Sequence, residues 1–321
     1  MIKVSVIVPI YNTEKYIERC ARSLLEQTLN DIEYIFINDC STDNSIHILK
    51  HVINDYPNRT ENIKIIQLDK NHGLCYVRKT GITVATGEYI IFCDSDDWVE
   101  TNAYQLMYEK AISHNYDIIF CNWKETNGTR ILREKQRKTY HNNLKFIKEI
   151  LKGNEMANIW SALCKQKLYK NDIIYPTHSM IEDAVLTTQL IYYAKSYEFI
   201  NDSLYFYFIN SNSMSRKHGK ESCLKRYQEV LENTKKILYF IDKIGYTSSL
   251  KNEIISLKYW ARLQIGPITN IKEYYQLWTK TYPEIDSQFI INLHIPLRLK
   301  LNYILIKTHI YSLLKRNQYE K

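Results

Sequence analysis

Five short apolar segments alternate with helical patterns over the first 122 residues, and this alternation constrains the fold more than any other feature. The segments are rich in β-branched residues and comprise Val4–Val8, Tyr34–Ile37, Ile63–Leu68, Tyr89–Cys93 and Ile118–Cys121. Strands that are apolar on both faces belong to sheets that are covered on both sides. The βαβαβαβ order therefore predicts an open, mostly parallel, Rossmann-like α/β sheet flanked by helices.

Helical patterns with recognisable start and stop signals lie between these predicted strands. Thr13 is predicted to cap the first helix, and Ser41 or Thr42 the second. A third helix is predicted from about Leu74 to Thr86, with Gly87 as its C′ stop. Three helices of this kind would cover the faces of the sheet.

The pattern changes after residue 122, which predicts a division of the chain into three parts. Residues 123–220 are less regular and more polar, with strand-like pieces such as Ser203–Ile209. Residues 221–321 read as a helical C-terminal extension, which opens with a long 3/4-spaced helix ending near Gly245. We therefore expect an α/β half over 1–122, a second part over 123–220 and a helical region over 221–321.

Composition and cysteine usage limit the class of protein. With 45% hydrophobic and 24% charged residues, the 321-residue chain is of globular type. Seven scattered cysteines without a CxxC pair argue against a disulfide framework or a zinc site, and they favour a reducing compartment. The N-terminus lacks the layout of a signal peptide, and no run of 18 apolar residues occurs. These features predict a cytoplasmic protein without a transmembrane helix.

Positive charge is concentrated toward the C-terminus, within a formal net charge of +8. Apolar residues at 3/4 spacing are interleaved with these basic residues: Leu301, Ile304, Leu305, Thr308, Tyr311 and Leu314. The pattern is typical of an interfacial helix on the inner face of the cytoplasmic membrane. It is equally typical of a domain-packing helix with a solvated basic face, and the sequence leaves both open.

Clusters of mostly polar residues, of types that bind ligands, follow four successive predicted strands. They are Pro9, Tyr11 and Asn12, then Asn38, Asp39, Ser41, Thr42 and Asp43, then Asn71, His72, Gly73 and Arg78, and finally Asp94, Asp96 and Asp97. In open α/β sheets, ligands bind beyond the carboxyl ends of the strands. Taken alone, Asp39–Asp43 is equally well turn and cap chemistry, and Asn71-His72-Gly73 is better explained as a loop. For Asp94–Asp97 a solvated turn is the weaker explanation, because an apolar strand leads straight into the carboxylates. The occurrence of such clusters at four strand ends predicts a single site at one edge of the sheet.

The three carboxylates at Asp94, Asp96 and Asp97 need a partner, because like charges this close repel one another. A hard cation, Mg²⁺ or Mn²⁺, would cancel the repulsion and bridge to a diphosphate. Arg78 has the bidentate capacity to hold the same phosphates. The carboxylate of Asp39 would accept N–H donors from a base such as uracil or guanine.

Four motifs in this order resemble those of glycosyltransferase family 2: VSVIVPIYN, IFINDCSTDNS, KNHGLCYVRKTGI and GEYIIFCDSDDW. The resemblance is close over residues 1–100, and it continues more loosely through IWSALCKQKLY, HSMIEDAVLTTQLIYYA and LYFYFINSNSMS. Members of this family are inverting, sugar-nucleotide-dependent enzymes with the GT-A fold. The chain departs from the family pattern at Cys40, where a glycine is usual, and at Lys79-Thr80, where asparagine often follows the arginine.

The resemblance implies a role for each matching position. Residues implied in nucleotide binding are Pro9, Tyr11, Asn12, Asp39, Asn71, Gly73, Arg78, Asp94 and Ser95. Among them, Asp39 would recognise the base and Arg78 would lie near the diphosphate. Asp94-Ser95-Asp96 matches the DxD motif, with Asp96 as the implied direct ligand of Mg²⁺ or Mn²⁺.

The remaining implied roles concern the donor sugar, the acceptor and the proton transfer. Asp97, Trp98 and Glu182 would face the donor sugar and the acceptor. Asp183 would be the catalytic base, although acids also favour helix N-termini and a helix start at 182 explains the pair equally well. His218 is a further metal candidate, because some enzymes of this fold recruit a C-terminal histidine. A lone histidine in a basic loop is otherwise an exposed residue.

The function implied is transfer of a sugar from a nucleoside diphosphate sugar, with UDP the commonest nucleotide, to a hydroxyl of a glycan or lipid-linked acceptor. Such a reaction belongs to the synthesis of bacterial surface polysaccharides, as in capsule or lipopolysaccharide. The alternative is a non-catalytic nucleotide- or membrane-surface-binding protein of the same fold. A nucleic-acid partner is disfavoured by the acidic strand ends. A dinucleotide-dependent oxidoreductase is disfavoured because PIYNTEK stands where G-x-G-x-x-G would be required.

Overall fold

The computed structural model describes residues 1–209 and 219–319. These residues divide into two compact units. The first comprises 1–143, 157–175 and 186–209, and the second comprises 144–156, 176–185 and 219–319. Both units are therefore discontinuous in sequence. The expected division at residues 122 and 220 stays a prediction.

The first unit contains a mixed, mostly parallel sheet. Its strands are β1 (Val4–Ile10), β2 (Ile32–Asn38), β3 (Ile63–Gln67), β4 (Tyr89–Phe92), β5 (Trp98–Val99), β6 (Ile118–Thr126), β7 (Ile131–Lys135), β8 (Ala162–Lys165) and β9 (Tyr197–Phe208). They lie in the order β3-β2-β1-β4-β8-β6-β9-β5, and β7 pairs with β6. Neighbours from β3 to β4 are parallel, β8 is antiparallel to both of its neighbours, and β9 is parallel to β6. The predicted α/β sheet is thus confirmed.

Burial explains why the apolar runs form strands. Every residue of β2 and β4 is buried, and β1 is buried apart from the partly exposed Pro9. Strand β3 differs, because Lys64 and Gln67 are exposed and the strand lies at the edge of the sheet. An edge strand that carries charged residues is protected from pairing with other chains.

Helices surround the sheet and form most of the second unit. The α-helices are α1 (Ile17–Leu25), α2 (Ser45–Asn54), α3 (Leu74–Val84), α4 (Ala103–Ser113), α5 (Asn143–Leu151), α6 (Glu182–Tyr193), α7 (Lys220–Lys243), α8 (Lys251–Leu263), α9 (Lys272–Lys280), α10 (Asp286–Phe289), α11 (Leu297–Lys307) and α12 (Ile310–Tyr319). Short 3₁₀ turns occupy Pro57–Asn62, Ile159–Ser161, Gln166–Lys170, Gly266–Ile268 and Pro283–Ile285. The predicted long helix is α7, and Gly245 follows it with φ of 72°, which confirms the stop signal.

The predicted N-terminal caps of α1 and α2 are wrong. Helix α1 begins at Ile17 with Tyr16 at its N-cap, so Thr13 lies before the helix and no side chain caps it. Helix α2 begins at Ser45, with Asn44 at the N-cap position. The physical reason is tertiary, because Ser41 and Thr42 bond to the loop after β1 instead of to their own helix.

The role predicted for Gly87 is also wrong. Helix α3 ends at Val84, and its C-cap residue Ala85 is extended. A Cβ at Gly87 would lie 2.7 Å from the backbone nitrogen of Ser5. The glycine is therefore required by the close approach of two backbones at the start of β4 and not by a helix end.

The second unit has its own core, which is built around aromatic side chains and one buried cation. Tyr259, Trp278 and Phe289 are buried in this cluster. Arg262 is fully buried, its guanidinium lies 3.7 Å from the ring centroid of Trp278, and it forms an ion pair with Asp286. Stacking and a paired carboxylate make this burial tolerable.

The predicted C-terminal helix is present as two helices. A turn at Thr308 and His309, where His309 has φ of 61°, separates α11 from α12. Helix α11 buries Tyr303 and Ile306 while Leu301 and Ile304 stay exposed. Within residues 1–209 and 219–319, no helix has both the length and the apolar content that crossing a bilayer requires.

The seven cysteines are free thiols. Six of them are buried, and Cys40 alone is partly exposed. Burial of this kind suits cysteine as a small apolar side chain.

Candidate functional site

The loops after β1 and β2 are joined at the edge of the sheet by direct hydrogen bonds. The backbone N–H of Asn12 donates to Oγ of Ser41 over 3.1 Å, and Oδ1 of Asn12 accepts from the N–H of Thr42 over 2.8 Å. Asn12 has φ of 52°, a conformation that asparagine tolerates well. The preceding Tyr11 leaves 49% of its surface exposed. The first two predicted clusters therefore form one surface, with an aromatic ring open to solvent.

Asp39 connects the second cluster to the third. Its Oδ1 accepts from the N–H of His72 over 2.7 Å and its Oδ2 from the N–H of Gly73 over 2.8 Å. Gly73 has φ of 84° and stands at the N-cap of α3, so the residue must tolerate a left-handed backbone. Asp39 is only 3% exposed, while the amide of Asn71 donates to its carbonyl over 3.4 Å. Asp39 thus anchors the loop that precedes α3, and each carboxylate oxygen keeps a further lone pair for a ligand.

Cys40 explains the departure from the family pattern at this position. Its φ is 60°, in the left-handed region that glycine adopts without steric cost. The turn after Asp39 therefore has the backbone conformation that favours glycine, and cysteine occupies it at an energetic cost.

Arg78 connects the third cluster to the fourth. Its Nη2 donates to Oδ1 of Asp94 over 2.8 Å, and the arginine side chain is 2% exposed while that of Asp94 is 27% exposed. The guanidinium also lies 5.3 Å from the ring centroid of Phe92 on β4. A buried cation is thus fixed below the first carboxylate of the DxD motif.

The acidic segment from Asp94 to Asp97 forms a tight turn, closed by a 3.0 Å bond from the N–H of Asp97 to the carbonyl of Asp94. Asp97 points away from solvent and is 1% exposed. Its Oδ2 accepts from the hydroxyl of Tyr205 over 2.7 Å, and its Oδ1 from the N–H of Phe208 over 2.6 Å. Burial raises the pKa of Asp97 well above its usual range, and the charges of Asp96 and Asp94 add to that rise. The three carboxylates therefore occupy different environments.

Trp98 is held between two other side chains. On one face, the guanidinium of Arg19 lies 3.5 Å from the indole centroid, and on the other face Phe206 is stacked at 5.1 Å with an interplanar angle of 8°. Arg19 also donates through Nη2 to the carbonyl of Asp96 over 3.2 Å. Both ring faces are thus covered, and only the indole edge is left for a ligand.

Two residues at this site were not predicted from the sequence. Arg19 belongs to α1, and Tyr205 belongs to β9, yet both contact the Asp94–Asp97 turn. The only signal for Tyr205 is its place in the LYFYF segment, which was noted for its family resemblance alone. No sequence signal distinguishes Arg19 from a solvated helix residue.

The residues fit one particular mode of cation binding. Within the described part of the chain, no three His, Cys, Asp or Glu side chains are grouped as ligands for an ion. Asp94 and Asp96 are partly exposed on the turn, while Ser95 and Asp97 are buried. Mg²⁺ in nucleotide sites is bound through one or two carboxylates together with substrate phosphates and water. The partly exposed pair suits this mode and not an ion cage made by protein alone.

Glu182 and Asp183 belong to the other unit and begin helix α6. Glu182 is 4% exposed, and Asp183 is partly exposed. The preceding Ile181 has φ of 55°, which is strained for a β-branched residue. The predicted helix start is confirmed, so the acids lie where the helix dipole favours them. The candidate metal ligand His218 lies outside the described residues.

Comparison with known proteins identifies the family. The model of the family described as glycosyl transferase family 2 matches residues 5–178, more than half of the chain. The Streptococcus pneumoniae glycosyltransferase GlyA is 30% identical over 225 residues, which are 67% of this chain and 32% of GlyA. The chain thus spans about a third of the length of that relative.

Solved structures show the same fold. The crystal structure of S. aureus TarS 1-349 in complex with UDP-GlcNAc matches with a TM-score of 0.61 and 20% identity, covering 100% of this chain and 93% of that one. The mannosyltransferase PcManGT from Pyrobaculum calidifontis, in complex with GDP-Man and Mn²⁺, matches with a TM-score of 0.54 and 14% identity. That alignment covers 98% of this chain and 86% of PcManGT. With the motif order and the sheet topology, these matches establish that the chain belongs to glycosyl transferase family 2, a family of glycosyltransferase enzymes, and has their GT-A fold.

Proposed function

We propose that the protein is an inverting glycosyltransferase that moves a sugar from a nucleoside diphosphate sugar, foremost a UDP-sugar, to a hydroxyl of a glycan or lipid-linked acceptor. The observation that carries the proposal is that helix α3 is bonded at Gly73 to Asp39 and at Arg78 to Asp94, in a chain of this family. TarS bound to UDP-GlcNAc and PcManGT bound to GDP-Man support the donor class. Surface polysaccharide synthesis is the setting that we propose for the reaction.

The nucleoside would lie against the surface formed after β1 and β2. Tyr11 offers an exposed ring for a base, and Pro9 and Asn12 flank it. Asp39 would accept an N–H of the base through the lone pairs that His72 and Gly73 leave available. Pre-existing hydrogen bonds hold this carboxylate in place before the ligand arrives, which lowers the cost of binding.

The diphosphate would lie above Arg78 and the DxD turn. Asp96, assisted by Asp94, would hold Mg²⁺ or Mn²⁺, a role supported by the Mn²⁺ in PcManGT. When bound, such an ion supplies positive charge against the developing charge of the leaving diphosphate. The place of the diphosphate would also be shaped by the backbones of Ser95, Asn71 and Gly73.

Asp183 would be the general base. We propose that its carboxylate takes the proton of the acceptor hydroxyl while that oxygen bonds to C1 of the sugar. The bond between C1 and the diphosphate oxygen breaks in the same displacement, so the anomeric configuration inverts. The neighbouring Glu182 would orient the acceptor.

The roles that we propose for Trp98 and Asp97 are more limited than direct contact with the donor sugar and the acceptor, which the family resemblance implies. Because Arg19 and Phe206 cover both faces of the indole, Trp98 would meet a sugar with its edge. Asp97 is enclosed, so it would act through the turn that it stabilises.

Nucleotide binding is the first test. Thermal unfolding would be followed with UDP, GDP and CMP, each with and without Mg²⁺ or Mn²⁺. We expect a metal-dependent rise in Tm with one nucleotide, UDP foremost, because a ligand that binds only the folded state stabilises it. If no combination shifts the transition, the proposal fails.

Catalysis is tested with a donor screen read by mass spectrometry, using an array of sugar nucleotides and simple acceptors. Asp183→Asn is expected to lower transfer by a factor of about 10² or more, as for loss of a general base, while nucleotide binding is retained. Asp202→Asn, which removes an exposed carboxylate on β9, serves as the control. A protein that binds nucleotides and transfers no sugar would be the non-catalytic alternative.

We also propose that α11 and α12 contact an anionic membrane surface. More than half of the large apolar side chains that the described residues expose lie between Ile290 and Leu314. On α11, Leu297, Leu301 and Ile304 are 81%, 54% and 47% exposed, and helical spacing places them on one face. Six basic residues and one acid follow Pro296, so anionic lipid matches the charge better than a second copy of the same surface does.

Vesicle flotation tests this contact. The wild-type protein is expected to float with vesicles that contain phosphatidylglycerol and not with phosphatidylcholine alone. The triple variant L297S/L301S/I304S should lose binding, while I131S/L132S, which changes exposed apolar residues on β7, should retain it. Dimerisation that the triple variant abolishes, without vesicle binding by the wild type, would overturn the proposal.

A further inference from the structure

The hydroxyl of Tyr205 connects the two ends of the acidic turn. It donates to Oδ2 of Asp97 over 2.7 Å and accepts from the backbone N–H of Asp94 over 3.1 Å. The side chain is 2% exposed, so water does not compete for either bond. One oxygen atom thus fixes the first and the last residue of the segment that carries the DxD motif.

The ring of Tyr205 is itself held rigidly. Trp160 stacks on it at a centroid distance of 4.2 Å and an interplanar angle of 23°. The backbone of Tyr205 is the β-partner of Val99, which lies immediately beyond the turn. Phe208 on the same strand donates its N–H to the second oxygen of Asp97 over 2.6 Å. Strand β9 therefore holds the turn through a side chain, a backbone group and strand pairing.

The position of Asp96 depends on this arrangement, because it lies between the two tethered residues. A cation that binds through one or two carboxylates and a diphosphate gains little from the protein unless these carboxylates are held in place beforehand. Arg19 contacts the carbonyl of Asp96, and Arg78 contacts the carboxylate of Asp94. The side chain of Tyr205, by contrast, contacts both Asp94 and Asp97 and so joins the two ends of the turn.

We infer that Tyr205 is a positioning residue, which holds the Asp94–Asp97 turn in the conformation that binds a divalent cation together with the diphosphate of the donor. The inference rests on the proposed function and assigns to Tyr205 a part in metal-dependent nucleotide affinity. A purely structural tyrosine would contribute to the stability of the fold and leave that affinity unchanged. The two roles therefore predict different binding data.

Tyr205→Phe tests the inference, because it keeps the ring and its stacking on Trp160 and removes only the hydroxyl. The matched control is Tyr89→Phe, since Tyr89 is fully buried and its hydroxyl donates to the carbonyl of Tyr116 over 2.8 Å at the opposite end of β4. Calorimetric titration would give the Kd of UDP, or of GDP if the wild type prefers it, with and without Mn²⁺. We expect Tyr205→Phe to raise the Kd with Mn²⁺ by about tenfold, as for loss of a group that orients a metal ligand. The Kd without Mn²⁺ should be unchanged, and Tyr89→Phe should change neither value.

Asp97→Asn provides a second variant with the same expectation. Tyr205 and Asp97 act through one hydrogen bond. The double variant should therefore bind the nucleotide with Mn²⁺ about as weakly as either single variant, and not a hundredfold more weakly than the wild type. Wild-type affinity in Tyr205→Phe, or an equal loss in Tyr205→Phe and Tyr89→Phe, would overturn the inference while the proposed function stands. A wild-type protein that binds neither UDP nor GDP with Mn²⁺ would overturn both the inference and the proposed function. This result can be told apart from a change that is confined to the variants.

Discussion

Nη2 of Arg78 lies 2.8 Å from Oδ1 of Asp94, and the arginine is almost completely buried. The family resemblance places Arg78 near the diphosphate and Asp94 among the nucleotide-binding residues, whereas the structure pairs the two with each other. This pair connects helix α3 to the turn that follows β4.

Asp94→Asn is expected to lower the free energy of unfolding by about 2 kcal/mol, because Arg78 loses a charged hydrogen-bond partner. Urea denaturation measures the change. Asp69→Asn is the control, since Asp69 pairs with His72 while 81% of its side chain is exposed, and its loss should lower stability much less than Asp94→Asn does. Equal losses in the two variants would show that burial of Arg78 does not strengthen the pair.

Cys40→Gly is expected to be neutral or to stabilise the protein by up to about 1 kcal/mol. The left-handed backbone at φ of 60° costs an L-residue about 1–2 kcal/mol, and the extra chain entropy of glycine offsets part of the gain. Cys40→Val should destabilise, because a β-branched residue is strained in this conformation. Denaturation of both variants tests the prediction, and a glycine variant as unstable as the valine variant would contradict it.

The buried carboxylate of Glu33 predicts a specific dependence of stability on pH. It is 2% exposed and accepts from Ser5, Thr86 and Gly87, while Lys64 lies 2.8 Å from Oε2. Burial acts to raise the pKa of Glu33, but the hydrogen bonds from Lys64, Ser5 and Thr86 outweigh it and lower the pKa below the ordinary 4.5. Because the folded pKa is the lower one, the stabilisation is complete above the unfolded value and is lost as pH falls through the folded value.

Glu33→Gln should therefore cost about 2 kcal/mol near neutral pH and progressively less below the ordinary glutamate pKa. Denaturation midpoints measured at several pH values for both proteins test this. Glu61→Gln, at an exposed position in the turn Pro57–Asn62, is the control and should have only a small effect on stability. A cost for Glu33→Gln that grows as pH falls would refute the assignment.

Ile181→Gly is expected to raise stability by about 1 kcal/mol and to lower turnover. Isoleucine at φ of 55° is strained, and such strain commonly accompanies functional segments. Glycine would release the strain but loosen the helix start that carries Glu182 and Asp183. Asp31→Gly, at an exposed residue with φ of 61°, is the control that should leave turnover unchanged. Unchanged turnover in Ile181→Gly would show that the strained backbone at Ile181 does not contribute to catalysis.

The sheet was predictable where burial alone determines the strand. The runs at β1, β2 and β4 are rich in β-branched and apolar residues because both faces of the sheet are covered. This composition is visible in the sequence itself. Strand β9 was only partly predicted, because Glu198, Asn201 and Asp202 interrupt its apolar pattern. Its parallel pairing with β6, with register shifts around Asn122, is a tertiary property that no local pattern encodes.

The candidate site was predictable to the extent that parallel strands align their carboxyl ends. That rule grouped Asp39, Arg78 and Asp94. In the structure Asp39 accepts from Gly73 at the start of α3, and Arg78 of the same helix donates to Asp94. It did not separate Asp97 from Asp96, because the enclosure of Asp97 comes from β9, more than a hundred residues later. Tyr205 is one of 27 tyrosines, and only packing distinguishes it from the others.

The uneven exposure of the cysteines has a practical consequence for spectroscopy. Six thiols are buried, whereas Cys40 is partly open to solvent and directly follows Asp39. A maleimide fluorophore should therefore react at Cys40 first, because access governs the rate when other thiols are enclosed. The seven cysteines thus include one thiol that is partly open to solvent, which offers an attachment point for an optical reporter directly beside Asp39.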